Sequence, residues 1–519
     1  MASSRTDTAP PRRHASGASQ PVPDDDQRLR ELGYPRQLAR GVTGFGSFAM
    51  SSTIINFLAG IMVTATFGMT TGGPAVMVWG WAAVGLLVLS VGAAMAEITS
   101  AFPTSAALYY WSAKLAKRHN AAWSWYTGWL NFAGQIGGTA AADFAGVTFI
   151  QAYAALAFGY RPTPRGGLLI YAGILVLHAL LNTFTVRLVA VVTKAGVWWM
   201  LLGAAALIGS LTLVPSHHQS APWVFTHFVN GTGFHSGIYA GLIGLLFASG
   251  TFTGFDSSSH MAEETEHAAL AAPRGIVRSI LFSWIAGLGL VIALAFAMTD
   301  YTGELQSKTG LPPAQILIDA LGVHAAEALL LVVIVSLLFC GLANLTSNSR
   351  QIFAFSRDGA MPGSRLWRTV SSRTRTPVNS VWLAAACAFV LGIPSLWNPT
   401  ALNAIVSISV VGLFTAYSIP IYLRLRQGDD FAPGPWNLGR WSRPVSRMAI
   451  GWVVVSSVLF VLPQQSPVTA TSFNYAPVAL GVVLLVATVW WFVTARRTFQ
   501  GPVRYGSPAE LAQWEQDVL

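Results

Sequence analysis

Apolar stretches long enough to cross a bilayer recur along this 519-residue chain, and about 20 residues is the length a spanning α-helix needs. Twelve are read, at 41–66, 75–101, 124–157, 167–184, 189–214, 237–264, 276–299, 325–355, 379–395, 400–423, 446–463 and 475–495. Lipid offers the backbone no hydrogen bonds, so only helices and closed barrels span it. These segments are apolar on every face and far longer than barrel strands, so they are helices. Composition agrees: 53% of residues are hydrophobic and 10% charged, where soluble proteins carry about a quarter charged. That excludes a disordered chain and leaves too few charges to cover soluble domains. Two cysteines make neither a disulfide framework nor a zinc ribbon.

The net charge of +10 has two readings, a nucleic-acid binder or a membrane protein with one basic side. Position decides between them. With the N-terminus inside and the spans alternating, 28 of the 31 Lys and Arg residues fall inside, and only Arg161, Arg165 and Lys308 fall outside. The densest cluster is Arg350, Arg357, Arg365, Arg368, Arg373 and Arg375. This is the positive-inside bias, and it places both termini in the cytoplasm. Basic residues scattered among seven segments beside spans argue against nucleic acid. Residues 1–38 are polar, with an Asp24-Asp25-Asp26 cluster and no apolar stretch of a signal peptide, and read as a flexible cytoplasmic tail. Residues 498–519 form a second tail, and 39–497 the membrane domain.

Two spans carry small polar patches near their middles: Ser51-Ser52-Thr53 in the first, and Ser249-Gly250-Thr251-Phe252-Thr253-Gly254 in the sixth. Such residues favour neither a tight helix nor lipid. Each patch alone fits close helix packing. Heading spans one and six, they fit two inverted five-helix repeats, each opening with a broken helix.

Several stretches carry a resemblance. They are GGPAVMVWGW (72–81), AMAEITSAFPTSAALYYWSAKLA (94–116), WSWYTGWLNFAGQIGG (123–138), TGFDSSSHMAEET (253–265), SNSRQIFAFSRDGAMP (347–362) with Pro377-Val378-Asn379, and FAPGPWNLGRWSRPV (431–445). From about Leu32 to about Arg497 the chain resembles the amino acid/choline transporter family of the amino acid–polyamine–organocation superfamily. The resemblance implies an all-α membrane protein of twelve helices with the leucine-transporter-type fold. Its repeats would be about 41–214 and 237–423, with two peripheral helices at about 446–495.

It further implies a substrate site at the bilayer midplane, where helices 1 and 6 unwind. Carried onto this chain, the unwound positions are Ser52, Thr53, Ile54 and Asn56, with Ser249, Gly250, Thr251, Phe252, Thr253 and Gly254. Phe252 and Phe255 would be gating aromatics. Where many relatives have Gly-x-Gly at the first break, this chain has Ser52-Thr53-Ile54, which narrows backbone access. A sodium site in this fold would draw on helix 8 hydroxyls, here Thr346 and Ser347; the lysine that replaces it in some proton-coupled relatives falls near Trp199 or Met200. The coupling ion, proton or sodium, stays open, and no other cofactor is expected.

Ionisable groups within spans are functional candidates by default. Asp256 follows the helix 6 break, as part of a polar network or as an N-cap of the inner half-helix. Asp143 shares the third span with Asn131 and Gln135, read as lying on nearly one face. Glu97 reads as a structural or gating ion pair, and Glu263 and Glu264 as inner-gate partners of the basic loops. No enzyme signature survives. His260-Met261-Ala262-Glu263-Glu264 is not a HExxH zinc motif, and Gly231-Thr232-Gly233 follows no strand. The expected function is a secondary transporter, not an enzyme, moving a small amino acid or amine, GABA first, across the plasma membrane. The alternatives are a choline or polyamine carrier and a membrane amino-acid sensor without transport. Its partners are then the substrate and the bilayer, with no nucleic acid and the oligomeric state open.

Overall fold

A computed structural model describes residues 24–184, 186–307, 309–398, 401–470 and 472–518. The first 23 residues, with Arg5, Arg12 and Arg13, lie outside that set, as does Lys308. Eleven helices among the described residues are long and apolar enough to cross a membrane, and one shorter, interrupted apolar helix runs over Gly237–Thr251. They are α1 (Gly44–Ile55 and Phe57–Thr70), α2 (Gly73–Ala101), α3 (Asn120–Phe158), α4 (Pro164–Phe184), α5 (Val186–Leu213) and α6 (Gly237–Gly244 and Leu246–Thr251, then Ser257–His260). The others are α7 (Ala268–Ala297), α8 (Val323–Arg357), α9 (Val378–Gly392), α10 (Ala401–Gln427), α11 (Ser442–Val461) and α12 (Ala476–Trp490). The chain is thus a helical membrane protein, with no strand among the described residues.

The packing comes in matched pairs when each helix is exchanged for the one five places on. Contact of α3 with α10 is mirrored by α8 with α5, and α9 with α3 by α4 with α8. Likewise α6 packs on α2 as α1 packs on α7. Matched neighbours of this kind accord with two five-helix repeats. At the centre α3 and α10 nearly touch. A Cβ on Gly134 would stand 2.6 Å from the Leu413 nitrogen, so only glycine lets these backbones approach.

The tails depart from expectation. Residues 24–38 do not hang free: Asp25–Glu31 forms a helix that packs on a C-terminal helix, Pro508–Val518. Arg30 meets Glu515 at 2.8 Å, and Glu515 also accepts from the Arg36 amide at 2.7 Å. The Asp25 carboxylate accepts from the His267 and Ala268 amides at 2.6 and 2.9 Å, at the start of α7. A carboxylate is stabilised at a helix N-terminus by its free N–H groups and dipole, and Arg40 pairs with it at 2.9 Å. The acidic cluster is therefore an anchor. Short helices also fill the connections, at Ala107–Leu115 on the face of the termini and at Ala221–Thr226, Tyr301–Leu305 and Pro312–Leu321 on the other.

Candidate functional site

The α1 break is a single residue. Asn56 sits in the left-handed region at φ 39°, ψ 62°, between the two halves of the helix. Asparagine tolerates this conformation, and here its side chain caps the outer half by accepting from the Ala59 amide at 3.3 Å. The same carboxamide donates to the Ser336 carbonyl of α8 at 2.7 Å and accepts from the Ser336 hydroxyl at 2.8 Å. Ser52, Thr53 and Ile54, expected to be unwound, remain helical, because one left-handed residue suffices and the Asn56 amide still reaches the Ser52 carbonyl at 2.9 Å.

In α6 the regular helix ends at Thr251, and the chain resumes its coil at Ser257. Ser249, Gly250 and Thr251 are thus helical, and the unwound run is Phe252 to Asp256, one turn later than expected. Gly254 turns the chain at φ +74° and lets Ile54 press against it; a Cβ there would lie 2.2 Å from Ile54 Cγ2. The glycine that allows this close approach thus stands on α6, while Ser52-Thr53-Ile54 stays helical. Phe252 packs against Trp81 of α2 with ring centroids 4.6 Å apart, and Phe255 against Tyr417 of α10 at 5.0 Å. Neither lines the space between the breaks, so the gating role expected of them has no support in their packing.

Between the breaks lies a cavity of about 80 Å³. Ile54, Asn56, Gly250, Thr251 and Thr253 line it, while Ser52, Thr53, Ser249, Phe252 and Gly254 do not. Residues not singled out from the sequence supply much of the rest: Gly60 and Thr64 of α1, Gly138 of α3, Cys340 and Asn344 of α8, Ser409 of α10. Asn344 carried a signal, being an amide within an apolar span. The cavity shares Val63, Thr64, Gly250 and Val406 with a vestibule of about 310 Å³. That vestibule is rimmed by Phe460, Gln464, Phe473 and Tyr475 on the face opposite the termini.

No carboxylate lines the cavity among the described residues. Asp256 instead accepts from the Tyr417 hydroxyl at 2.6 Å and the Gln135 amide at 3.0 Å, with His260 Nε2 at 3.2 Å. It belongs to a network and makes no side-chain cap of the inner half-helix. Asn131 joins it through His260 at 3.1 Å. Asp143 does not. It lies eight and twelve residues beyond Gln135 and Asn131, which at 3.6 residues per turn rotates it roughly 80° and 120° away. There it pairs with His178 of α4 at 3.1 Å and fills a notch at Gly341, where a Cβ would lie 1.7 Å from its oxygen. Thr346 turns from α1 and donates to Asn182 of α4 at 2.6 Å, whereas the Ser347 hydroxyl is buried without a partner among the described residues.

On the termini face the way is shut by buried ion pairs. Arg357 grips Glu263 through two bonds of 3.0 Å, and Arg350 binds Glu264 at 2.8 Å. Both arginines belong to α8, not to the loops where partners were expected, and all four side chains are buried. Glu97 pairs with Arg424 at 3.4 Å and accepts from the Ser442 hydroxyl at 2.5 Å, joining α2 to α10 and α11. The structure is therefore open toward the vestibule and closed toward the termini.

The geometry is a pocket between two broken helices with one open side. Comparison with known proteins gives the family. The model of the amino acid permease family matches residues 42–485. The chain is similar to "Amino-acid permease BAT1" of Arabidopsis thaliana, 40% identical over 93% of this chain and 97% of that protein. It is also similar to the rice "Amino-acid permease BAT1 homolog", 38% identical over 92% and 95%. "Amino-acid permease 2" of Neurospora crassa is 29% identical over 93% and 90%. The chain belongs to the amino acid permease family: it is a multi-pass membrane transporter, not an enzyme.

Proposed function

We propose that this chain carries a small zwitterionic amino acid, GABA first, across the plasma membrane by alternating access, with both termini in the cytoplasm. The observation that carries the reading is the neutral cavity between the two breaks. At that cavity the outer half of α1 begins and the outer half of α6 ends. A helix N-terminus presents N–H groups and positive dipole, and a C-terminus presents carbonyls and negative dipole. The pair matches a carboxylate and an ammonium on one small molecule. Choline calls for aromatic faces and a polyamine for a carboxylate, and among the described residues neither lines the cavity, Asp256 and Asp143 being committed elsewhere. The termini are assigned to the cytoplasm by the one-sided distribution of Lys and Arg.

The test is uptake by purified protein in liposomes of labelled GABA, choline and putrescine, under imposed proton and sodium gradients. Accumulation of GABA, or exchange against preloaded GABA, is expected. Choline uptake without GABA uptake would overturn the substrate. Binding without uptake or exchange under every gradient would make the protein a sensor.

A further inference from the structure

The wall that α3, α8 and α10 give the cavity holds two polar groups that the protein leaves unpaired. Asn344 of α8 is 5% exposed and Ser409 of α10 is 3% exposed. Asn344 turns its Nδ2 back onto its own helix, donating to the Cys340 carbonyl at 3.0 Å and to Cys340 Sγ at 3.4 Å. A carbonyl only accepts, so this contact fixes the orientation of the carboxamide. Its Oδ1 is left at the other end, and no donor meets it among the described residues. A serine in a helix commonly bonds the carbonyl four residues back, as Ser407 does to Asn403 at 2.8 Å. The Ser409 hydroxyl makes no such bond, nor any other among the described residues. Both oxygens converge on Gly138 of α3. A Cβ there would stand 3.0 Å from Asn344 Oδ1 and 3.2 Å from Ser409 Oγ. Glycine keeps side-chain atoms off that point, so the three residues form a notch with two acceptors directed at one spot. A buried acceptor inside a span is costly unless something donates to it, and no Lys, Arg or His lines the cavity among the described residues.

We propose that this notch binds the ammonium of the substrate and selects amines that keep their N–H groups. This rests on the transport reading above and names the residues that read the amine. An ammonium presents three N–H donors. The carbonyl end of the outer half of α6 takes one, and the notch takes the other two, onto Asn344 Oδ1 and Ser409 Oγ. Each N-methyl group removes one donor and adds a carbon to a cavity of about 80 Å³. The positive charge is the same in every methylated form, so the selection works through hydrogen bonds and space rather than charge. The notch is also tied to the α1 break. Cys340, which orients Asn344, donates its thiol to the Ile54 carbonyl at 3.3 Å.

Full-length protein in liposomes tests this, through exchange of labelled GABA or L-alanine. The competitors are each unlabelled amino acid and its N-methyl and N,N-dimethyl forms. Wild type is expected to prefer the unmethylated amine over the dimethylated one by roughly tenfold to 100-fold, the scale of hydrogen bonds to a charged group. S409A and N344L should each weaken the unmethylated competitor by about tenfold and leave the dimethylated one nearly unmoved, so that the preference shrinks. A merely structural role would weaken all forms alike and keep the ratio. An unchanged ratio in the variants overturns the proposal, and so does a wild type that treats all three forms equally. If N344L shows no exchange, S409A, which deletes a single oxygen, decides alone. Wild-type protein that exchanges neither amino acid would overturn the transport reading, and the ligand of the notch with it.

Discussion

The Asn56 carboxamide and Ser336 exchange two hydrogen bonds across α1 and α8, at 2.7 and 2.8 Å. The pair pins the one left-handed residue on which α1 breaks, and so fixes one wall of the cavity. Removing the Ser336 hydroxyl leaves Asn56 Oδ1 with only its Ala59 donor, and S336A should lower stability by about 1 kcal/mol. N56D is nearly isosteric but replaces an N–H donor with an oxygen 2.7 Å from a carbonyl. It should destabilise more than S336A and abolish uptake. Thermal unfolding in detergent, paired with liposome uptake, checks both; an N56D protein as active as wild type would remove the pair from the site.

One wall of the cavity depends on Gly60. A Cβ there would stand 2.5 Å from Thr251 Cγ2 and 2.9 Å from its hydroxyl. G60A should therefore wedge α1 from α6 and reduce uptake roughly tenfold, overpacking of this kind costing about 1–3 kcal/mol. T251S deletes the methyl that clashes most. The double variant G60A/T251S should recover part of the loss, and kinetics of uptake that are no better than G60A alone would show that crowding is not the cause.

Breaking one partner of the seal should open the termini face. E263Q leaves Arg357 buried without its counter-charge, an effect of roughly 3–5 kcal/mol for such pairs. A cysteine placed at Ser52, buried on the closed side of the cavity, should then react with a thiol reagent added from the termini side. Removing both charges in E263Q/R357M leaves no orphan, so its labelling should fall back toward that of wild type. Equal labelling of S52C and S52C/E263Q, both with Cys340 and Cys387 replaced by alanine, would mean that this pair does not hold the seal.

The sequence made some of this legible and hid the rest, for physical reasons. Eleven of the twelve spans read are helices long and apolar enough to cross, because bilayer thickness imposes a length on every span. The α6 break was visible to within a turn, since Gly and Thr cluster there. In α1 the polar patch at Ser51 to Thr53 drew attention from Asn56, the residue that bends the chain; its asparagine and the capping geometry were the better signal. Acidic residues were found but their partners were not. Arg350 and Arg357 are helical and meet Glu264 and Glu263 only through tertiary packing, and His260 was weighed solely as a metal ligand. Angular bookkeeping along α3 would have separated Asp143 from Gln135. The Asp24-Asp25-Asp26 cluster looked like tail because its partners at the start of α7 are over 240 residues away.

Glu304 ties stability on the vestibule face to pH. It sits in the short helix after α7, accepting from the Thr299 amide at 2.8 Å and the Asp300 amide at 3.3 Å. The neighbouring Tyr301 hydroxyl bonds to the Met69 carbonyl at the outer end of α1. Burial pushes the Glu304 carboxyl up from 4.5 to about 7, against the opposing pull of those two amides. A carboxyl raised on folding favours the native state fully below its unfolded value, and that contribution is lost as pH rises through the folded one. Protection of the 299–305 amides from hydrogen exchange, corrected for intrinsic rates, should therefore fall between about pH 5 and pH 8. E304Q keeps the acceptor oxygen and cannot ionise, so its protection should stay level across the same range. A wild-type profile as flat as the variant's would mean that Glu304 does not titrate there, and that the cap on α1 is held by Tyr301 and its neighbours independently of pH.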